Sequence, residues 1–358
     1  MDKLLIIQPF IAKYRIPVFE ELAECYEVRL AAEESTSYGG GALEGLAKVS
    51  FSCLKNRELF RGRLIWQSGL LRVIVGFKPD IVFFSANPRQ LSLWVALFLL
   101  MFSESKVVLH GQGLYNKTPS LFYRAQFFLF SVLSDKYICY TESCRVPLKG
   151  MSIYKNTVVA ENSIVNTAPL NKTAVSENGI LYIGRFRDGC NLDILIEAVG
   201  SINNSGFAIE LHVIGSGDER YEKEYSSLPY VTFYGEIYDS VEITSISRKC
   251  FSGCYPGDAG LSVLHYMSLS LPPIAHSSLT QHMGPEPSYI IDGINGVFFE
   301  RNDNASLVVA ITKIYTDKKF LIKLQANAFR TYQKLTRPSL GKRILKILNG
   351  VISVDENS

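Results

Sequence analysis

From residue 3 to about residue 300 the chain alternates short runs of apolar, often β-branched residues with longer stretches of helical period. Strand-like segments fall at 3–8 (KLLIIQ), 27–32, 79–84, 106–110, 136–140 and 156–160, and helical segments at 16–26, 90–102 and 119–134 lie between them. Strands spaced by helices of that length are joined by crossovers, which are right-handed almost without exception. The pattern predicts a parallel, doubly wound sheet. Residues 161–179 interrupt it: they include no aromatic residue and are rich in Asn, Thr and Ser, which reads as a linker. The alternation then restarts, with strands at 180–183, 208–215, 231–234, 250–256 and 272–275. Helices are expected at 191–203, 218–227, 239–249, 260–270 and beyond 304. The expectation is an α/β protein of two Rossmann-like domains, 1–165 and 166–335, facing a central cleft. Residues 336–358 are expected to form a helix packing back on the first domain. Ligands of such sheets bind beyond the carboxyl ends of the strands.

Several function classes drop out early. Lys and Arg number 37 against 34 Asp and Glu, and a net charge of +3 does not suit a protein built to hold a nucleic-acid backbone. There are seven Cys and no C-x-x-C pair, so the thiols read as reduced and the compartment as cytoplasmic. The opening MDKLLIIQPF runs straight into a strand and does not read as a signal peptide. The longest apolar run, residues 91–103, makes a helix of about 20 Å against the roughly 30 Å of a bilayer core, and so reads as a buried core helix. No D-x-D, G-x-S-x-G, H-E-x-x-H or Walker lysine occurs, and no G-x-G-x-x-G follows the first strand. A metal, a nicotinamide cofactor and any other cofactor are therefore not expected.

Charge is unevenly placed. Residues 1–165 hold 19 basic and 14 acidic side chains, and much of the excess lies in 51–90, with Arg57, Arg61 and Arg63 interleaved among Leu59, Phe60, Leu64, Ile65 and Trp66. Residues 58–76 read as a basic amphipathic surface helix, suited either to an anionic membrane or to plain solvent. The C-terminal GKRILKILNGVI, 341–352, offers a second apolar and basic stripe. The glycine-rich SYGGGAL, 37–43, reads as a loop.

Three segments of the second half carry chemistry. In GRFRDGCNLDILIEA (184–198) a strand ends in Gly184-Arg185 before a helix, which aims a guanidinium beyond the sheet edge, where it suits a diphosphate. In YPGDAGLSVLHYM (255–267) a glycine-rich turn opens a helix, so the amides of Ala259, Gly260 and Leu261 can cradle phosphate or sugar oxygens. His265 follows on that helix, within reach of a ribose. GPEPSYIIDGINGVFF (284–299) has the Gly and Asn punctuation of tight turns at a rim.

These blocks, in this order, resemble the family 4 glycosyltransferases, retaining enzymes with the two-Rossmann GT-B fold. QPFIAKYRIPVFEELAECYEV (8–28) and LHGQGLYNK (109–117) resemble segments of the bacterial surface-polysaccharide branch. The resemblance implies that Arg185 binds the donor phosphates, with Gly184, Arg187, Ala259, Gly260, Leu261, His265 and Glu286 completing the donor site. It places Tyr14 and Arg15 on the acceptor side and His110 against the transferred sugar. The lysine of the family falls on Cys190, and its two glutamates fall on Gly257 and His265; Asp258, beside the first, can supply the lost carboxylate.

The implied reaction moves a sugar, with retention and without metal, from a nucleotide diphosphate-sugar to a sugar hydroxyl. His110, Arg185 and Asp258 are the expected catalytic groups. The acceptor would be a glycan, as a lipid-linked oligosaccharide of surface polysaccharide synthesis, handled in the cytoplasm at the inner face of the membrane through a peripheral contact with anionic lipid. The alternative is a catalytically weakened glycan-binding or partner subunit of the same fold, for which Cys190 and Gly257 are the motive.

Overall fold

The computed structural model describes residues 1–34, 45–115, 117–118, 120–172 and 177–352; the loop at 37–43 and the end of the chain from 353 lie outside them. The chain forms two compact units, Met1–Asn162 with Pro338–Ser358, and Ser163–Arg337. Among the described residues no helix is long and apolar enough to cross a membrane.

The first unit is built on β1 (Lys3–Phe10), β2 (Glu27–Glu33), β3 (Ser50–Cys53), β4 (Lys55–Leu59), β5 (Leu64–Ser68), β6 (Ile81–Ser85), β7 (Lys106–Gly111), β8 (Lys136–Cys139) and β9 (Thr157–Val159). Seven of these form one parallel sheet in the order β3-β2-β1-β6-β7-β8-β9. Continuous apolar runs make its centre because a parallel sheet is covered on both faces. Leu5 and Ile7 of β1 point into one apolar layer and Leu4 and Ile6 into the other, as the two-residue period of a strand requires. The helix Ile16–Leu22 starts with Pro17 in its first turn, where no amide is missed.

The sequence reading of 58–76 as one helix is corrected. Residues 55–68 form the antiparallel hairpin β4–β5, with Arg57 opposite Trp66. Its turn, Phe60-Arg61-Gly62, has positive φ at all three residues, a backbone path that no helix contains. A helix, Leu70–Phe77, begins only after Gly69 at φ 94°. Arg57, Arg61 and Arg63 therefore ride on a hairpin and its turn, and only Arg72 of this stretch lies on a helix.

The C-terminal helix, Leu340–Ile352, packs on the first unit through Leu340, Ile344, Leu348 and Val351, all buried with Leu22 and Val28. Tyr26 Oη donates to Asn349 Oδ1 at 2.7 Å, and Ser339 Oγ donates to Glu21 Oε2 at 2.6 Å. Its apolar stripe is covered by protein, which removes it as an attachment surface.

The second unit has β10 (Gly179–Ile183), β11 (Glu210–Ile214), β12 (Val231–Phe233), β13 (Cys250–Cys254), β14 (Pro273–His276) and β15 (Val297–Phe299) in one parallel sheet, ordered β12-β11-β10-β13-β14-β15. The order reverses between β10 and β13, and such a switch point opens a crevice at the carboxyl ends of the two strands. Asp239, Asp303 and Asp317 cap three of its helices, each side chain accepting a first-turn amide.

Candidate functional site

At the switch point, β10 is followed directly by Gly184. A Cβ here would lie 2.5 Å from the Tyr255 ring, so only glycine fits. The next residues are fastened from behind: Phe186 N–H donates to Ser216 O at 2.8 Å, and Gly184 N–H to Ile214 O at 3.0 Å. Gly215 and Gly217, at φ 145° and 143°, allow that approach, since any Cβ would overlap the Gly184 and Phe186 carbonyl oxygens. GSGDE (215–219) is therefore a backbone seam. Arg185 is exposed on this fastened loop, within electrostatic range of the Tyr238 phenol.

Beyond β13 lies the second loop, 255–261. Tyr255 stacks on Tyr182 with ring centroids 5.1 Å apart. Gly257 packs so closely on Gly189 and Cys190 that a Cβ would overlap the Gly189 carbonyl oxygen. Asp258 N–H donates to that same oxygen at 2.8 Å, and Arg187 Nη2 donates to Asp258 O at 3.1 Å. The Asp258 carboxylate pairs with Arg301 at 3.1 Å and lies 3.5 Å from His276 Nε2. Cys190, buried, turns its thiol to Tyr221 Oη at 3.4 Å.

One donor expectation is corrected. The Ala259 amide is turned inward, donating to His282 Nδ1 at 3.1 Å, while the His282 Nε2–H is directed at His276 O, 3.0 Å away. The two imidazoles stack at 3.7 Å, and burial holds both below the ordinary histidine range, His282 at about 4. An anion at this turn meets the amides of Gly260 and Leu261, which have no partner among the described residues. The helix itself is short, Ser262–Ser268. His265 on it is half-buried, and desolvation lowers it to about 4, so its imidazole is neutral near pH 7. Glu286 is buried beside Gly260.

The second unit therefore gathers Gly184, Arg185, Arg187, Asp258, Gly260, Leu261, His265 and Glu286 about the ends of β10 and β13. Sequence reasoning missed His282 and Arg301 as supports of the second loop. Arg301 lies 43 residues from Asp258, and no local pattern announces such a pair.

His110, Tyr14 and Arg15 belong to the first unit. His110 is the penultimate residue of β7, with its ring 4.5 Å from Tyr140 and 5.5 Å from Phe83. Its Nε2 is buried and has no hydrogen-bond partner among the described residues. Burial, and next the charge of Arg15, push this imidazole well below the ordinary range. Arg15 donates to Asn162 Oδ1 at 2.6 Å and lies over the rings of Tyr14 and Tyr140. A cavity of about 220 Å³ opens here, with His110, Gln112, Lys117 and Tyr140 on its wall. Gly113, at φ 55°, turns the chain beneath it, where a Cβ would press on the Cys144 carbonyl.

Residues 170–331 match the family described as glycosyl transferases group 1. A search of curated proteins finds no match to the sequence. Among solved structures, the chain is similar to the Anabaena protein HepE in complex with UDP (14% identity, 98% of this chain and 100% of that one, TM-score 0.72). It is also similar to a glycosyltransferase from Rickettsia africae (13%, 98% of each chain, TM-score 0.73) and to sucrose-phosphate synthase from Thermosynechococcus elongatus (15%, 99% and 100%, TM-score 0.71). At these identities the likeness establishes the fold, two Rossmann-like units of the GT-B type.

Proposed function

We propose that the protein is a retaining glycosyltransferase that takes a sugar from a nucleotide diphosphate donor, UDP-linked in the first instance, and delivers it to a sugar hydroxyl. The observation that carries the reading is the collection at the β10–β13 switch point of an exposed Arg185, the two open amides of Gly260 and Leu261, and the buried carboxylate of Glu286, in the segment that matches the transferase family. HepE, similar over nearly the whole chain, is known with UDP-glucose bound.

In this reading Arg185 and the two amides hold the diphosphate, and Glu286 and the neutral His265 accept from or donate to ribose hydroxyls. The acceptor oxygen attacks the anomeric carbon from the face the phosphate leaves. The bond to the β-phosphate oxygen breaks, and that oxygen takes the acceptor proton. No metal takes part, and charge on the leaving diphosphate is stabilised by donors already in place. Asp258, oriented by Arg301, accepts from hydroxyls of the transferred sugar, and Arg187 steadies the Asp258 carbonyl. The unpartnered Nε2 of His110 is the corresponding contact in the first unit, where Tyr14 and Arg15 meet the acceptor. The acceptor is a lipid-linked glycan of bacterial surface polysaccharide, elongated at the cytoplasmic face of the membrane.

Arg185→Ala tests the donor assignment. A charge-assisted contact to phosphate contributes roughly 1.5–3 kcal/mol, so UDP should bind about 10- to 150-fold more weakly while uridine is unaffected. Equal losses for both ligands would reduce Arg185 to a structural residue. Transfer should also persist in excess EDTA, and its abolition there would overturn metal independence. A folded protein that neither transfers nor hydrolyses UDP-, GDP- or ADP-sugars would favour the glycan-binding subunit.

A further inference from the structure

One face of the first unit is built against the ordinary rule for a helix in water. Three helices, Leu70–Phe77, Leu91–Leu100 and Leu121–Leu133, cover the same side of the sheet, packing through Leu70, Leu93, Leu97, Phe127 and Phe130. Trp94 stacks on Phe130 at 4.6 Å and joins the last two. A surface helix keeps its apolar stripe inside and its polar face outside. Leu121–Leu133 is apolar on both sides: Phe127 and Phe130 are buried with Gln126, while Leu121 (86% exposed), Phe122, Phe128, Leu129 and Val132 face outward. The helix Leu91–Leu100 has no charged residue and presents Val95, Phe98 and Leu99 on its outer side, continued by Phe102 at 74% exposure. This also corrects the sequence expectation that 91–103 is a buried core helix: only its inner side is covered. Between the first two helices an apolar groove of about 770 Å³ opens beside Leu71, Ile74 and Leu99.

The charges carried by the three helices have one sign, while the groove between the first two is also lined by Asp2, Asp80 and Glu104 together with Lys78 and Lys106. The three helices contain Arg72 and Arg124, both exposed, and no Asp or Glu, and Lys78 follows directly. Neither arginine has an ion-pair partner among the described residues. A scattered apolar residue needs no explanation, but a contiguous face of this extent marks a docking surface. Two candidates differ in their electrostatics. A second copy of the chain meeting the helices by two-fold symmetry would bring Arg72 and Arg124 of both copies into one contact with no acidic residue on these helices to meet them, which is unfavourable. A bilayer bearing anionic headgroups offers hydrocarbon for the phenylalanines and leucines and negative charge for the arginines.

We infer that this three-helix face seats the protein on an anionic lipid bilayer, with Phe98, Phe128 and Leu129 entering the interface and Arg72 and Arg124 meeting headgroups. The inference stands on the first unit alone and is independent of the transferase reading.

The test is sedimentation with vesicles of phosphatidylcholine alone and of phosphatidylcholine with one quarter phosphatidylglycerol. The wild type, Phe98→Glu/Leu129→Glu and the milder Phe98→Ser/Leu129→Ser are compared, each checked for an unchanged circular dichroism spectrum. The wild type should bind the mixed vesicles at low salt, and less at 0.5 M salt. Both double variants should bind at least tenfold more weakly. Trp94 emission should be quenched by brominated lipid in a Trp66→Phe background. Failure of the wild type to sediment with the mixed vesicles overturns the inference, as does equal binding by the variants. A dimer in solution that the double variants dissociate, without vesicle binding, would give the face to a second copy.

Discussion

Lowering the pH from 7 to 5 should remove about 4 kcal/mol of stability through two histidines alone. All five histidines of the chain are held below the ordinary range by burial. His265 and His282 titrate at about 4 in the folded protein, against about 6.5 when unfolded. Between those values the unfolded chain binds protons that the folded one refuses, so stability rises with pH. It is complete above 6.5, falls below that, and is lost by pH 4. Each of the two sites costs about 2 kcal/mol at pH 5 and about 3 kcal/mol at pH 4. Against a typical 5–15 kcal/mol, that brings the protein close to unfolding. His282 is the more instructive, because protonating its Nδ1 breaks the bond from Ala259 and sets charge against the stacked His276. Urea denaturation at pH 7.5, 6.5, 5.5 and 5.0 measures the effect before most carboxylates titrate. A midpoint that stays flat across this range would mean that the folded histidines accept protons freely.

Placing at the tight turn the glutamate that the sequence resemblance expects there, Gly257→Glu, should cost about 3 kcal/mol or more and bring no gain in donor affinity. Overpacking a close-fitted site typically costs 1–3 kcal/mol, and here the obstacle is backbone. The new Cβ would overlap Gly189 O and lie 2.6 Å from the Cys190 carbonyl carbon, so no rotamer relieves it. The bond from Asp258 N–H to Gly189 O would open as the loops part. Cys190→Lys should fail for a related reason, since residue 190 is fully buried and an ammonium there has lost its water. Urea midpoints and UDP-induced thermal shifts of both variants measure this. A Gly257→Glu protein with an unchanged midpoint would refute the packing account. In sequence the departures at 190 and 257 look like two separate losses of charge. In the structure Gly257 packs directly on Cys190, and they are one junction between the loops that carry Arg187 and Asp258.

How far the sequence reached depended on how local each cause was. The runs LLII and IVFF announced strands because burial on both faces of a parallel sheet leaves no polar position inside them. Arg185 and Asp258 could be placed at strand ends because a side chain's distance past its own strand is a local property. The β4–β5 hairpin was misread because its apolar and basic residues recur at spacings a helix also produces, and the deciding signal lay in three turn residues of positive φ.

The sequence by itself determined that parallel crossover sheets would form, and which glycines and arginines would stand at their carboxyl edges. Both follow from short-range pattern and the handedness of the chain. Only the tertiary structure decided that Ala259 spends its amide on His282, and that Arg301 reaches Asp258. It also decided that Leu121 and Phe128 look outward while Gln126 looks in. Periodicity tells how residues divide between the sides of a helix, but the layer beneath selects the side that is buried, and that layer is assembled from strands far apart in the chain.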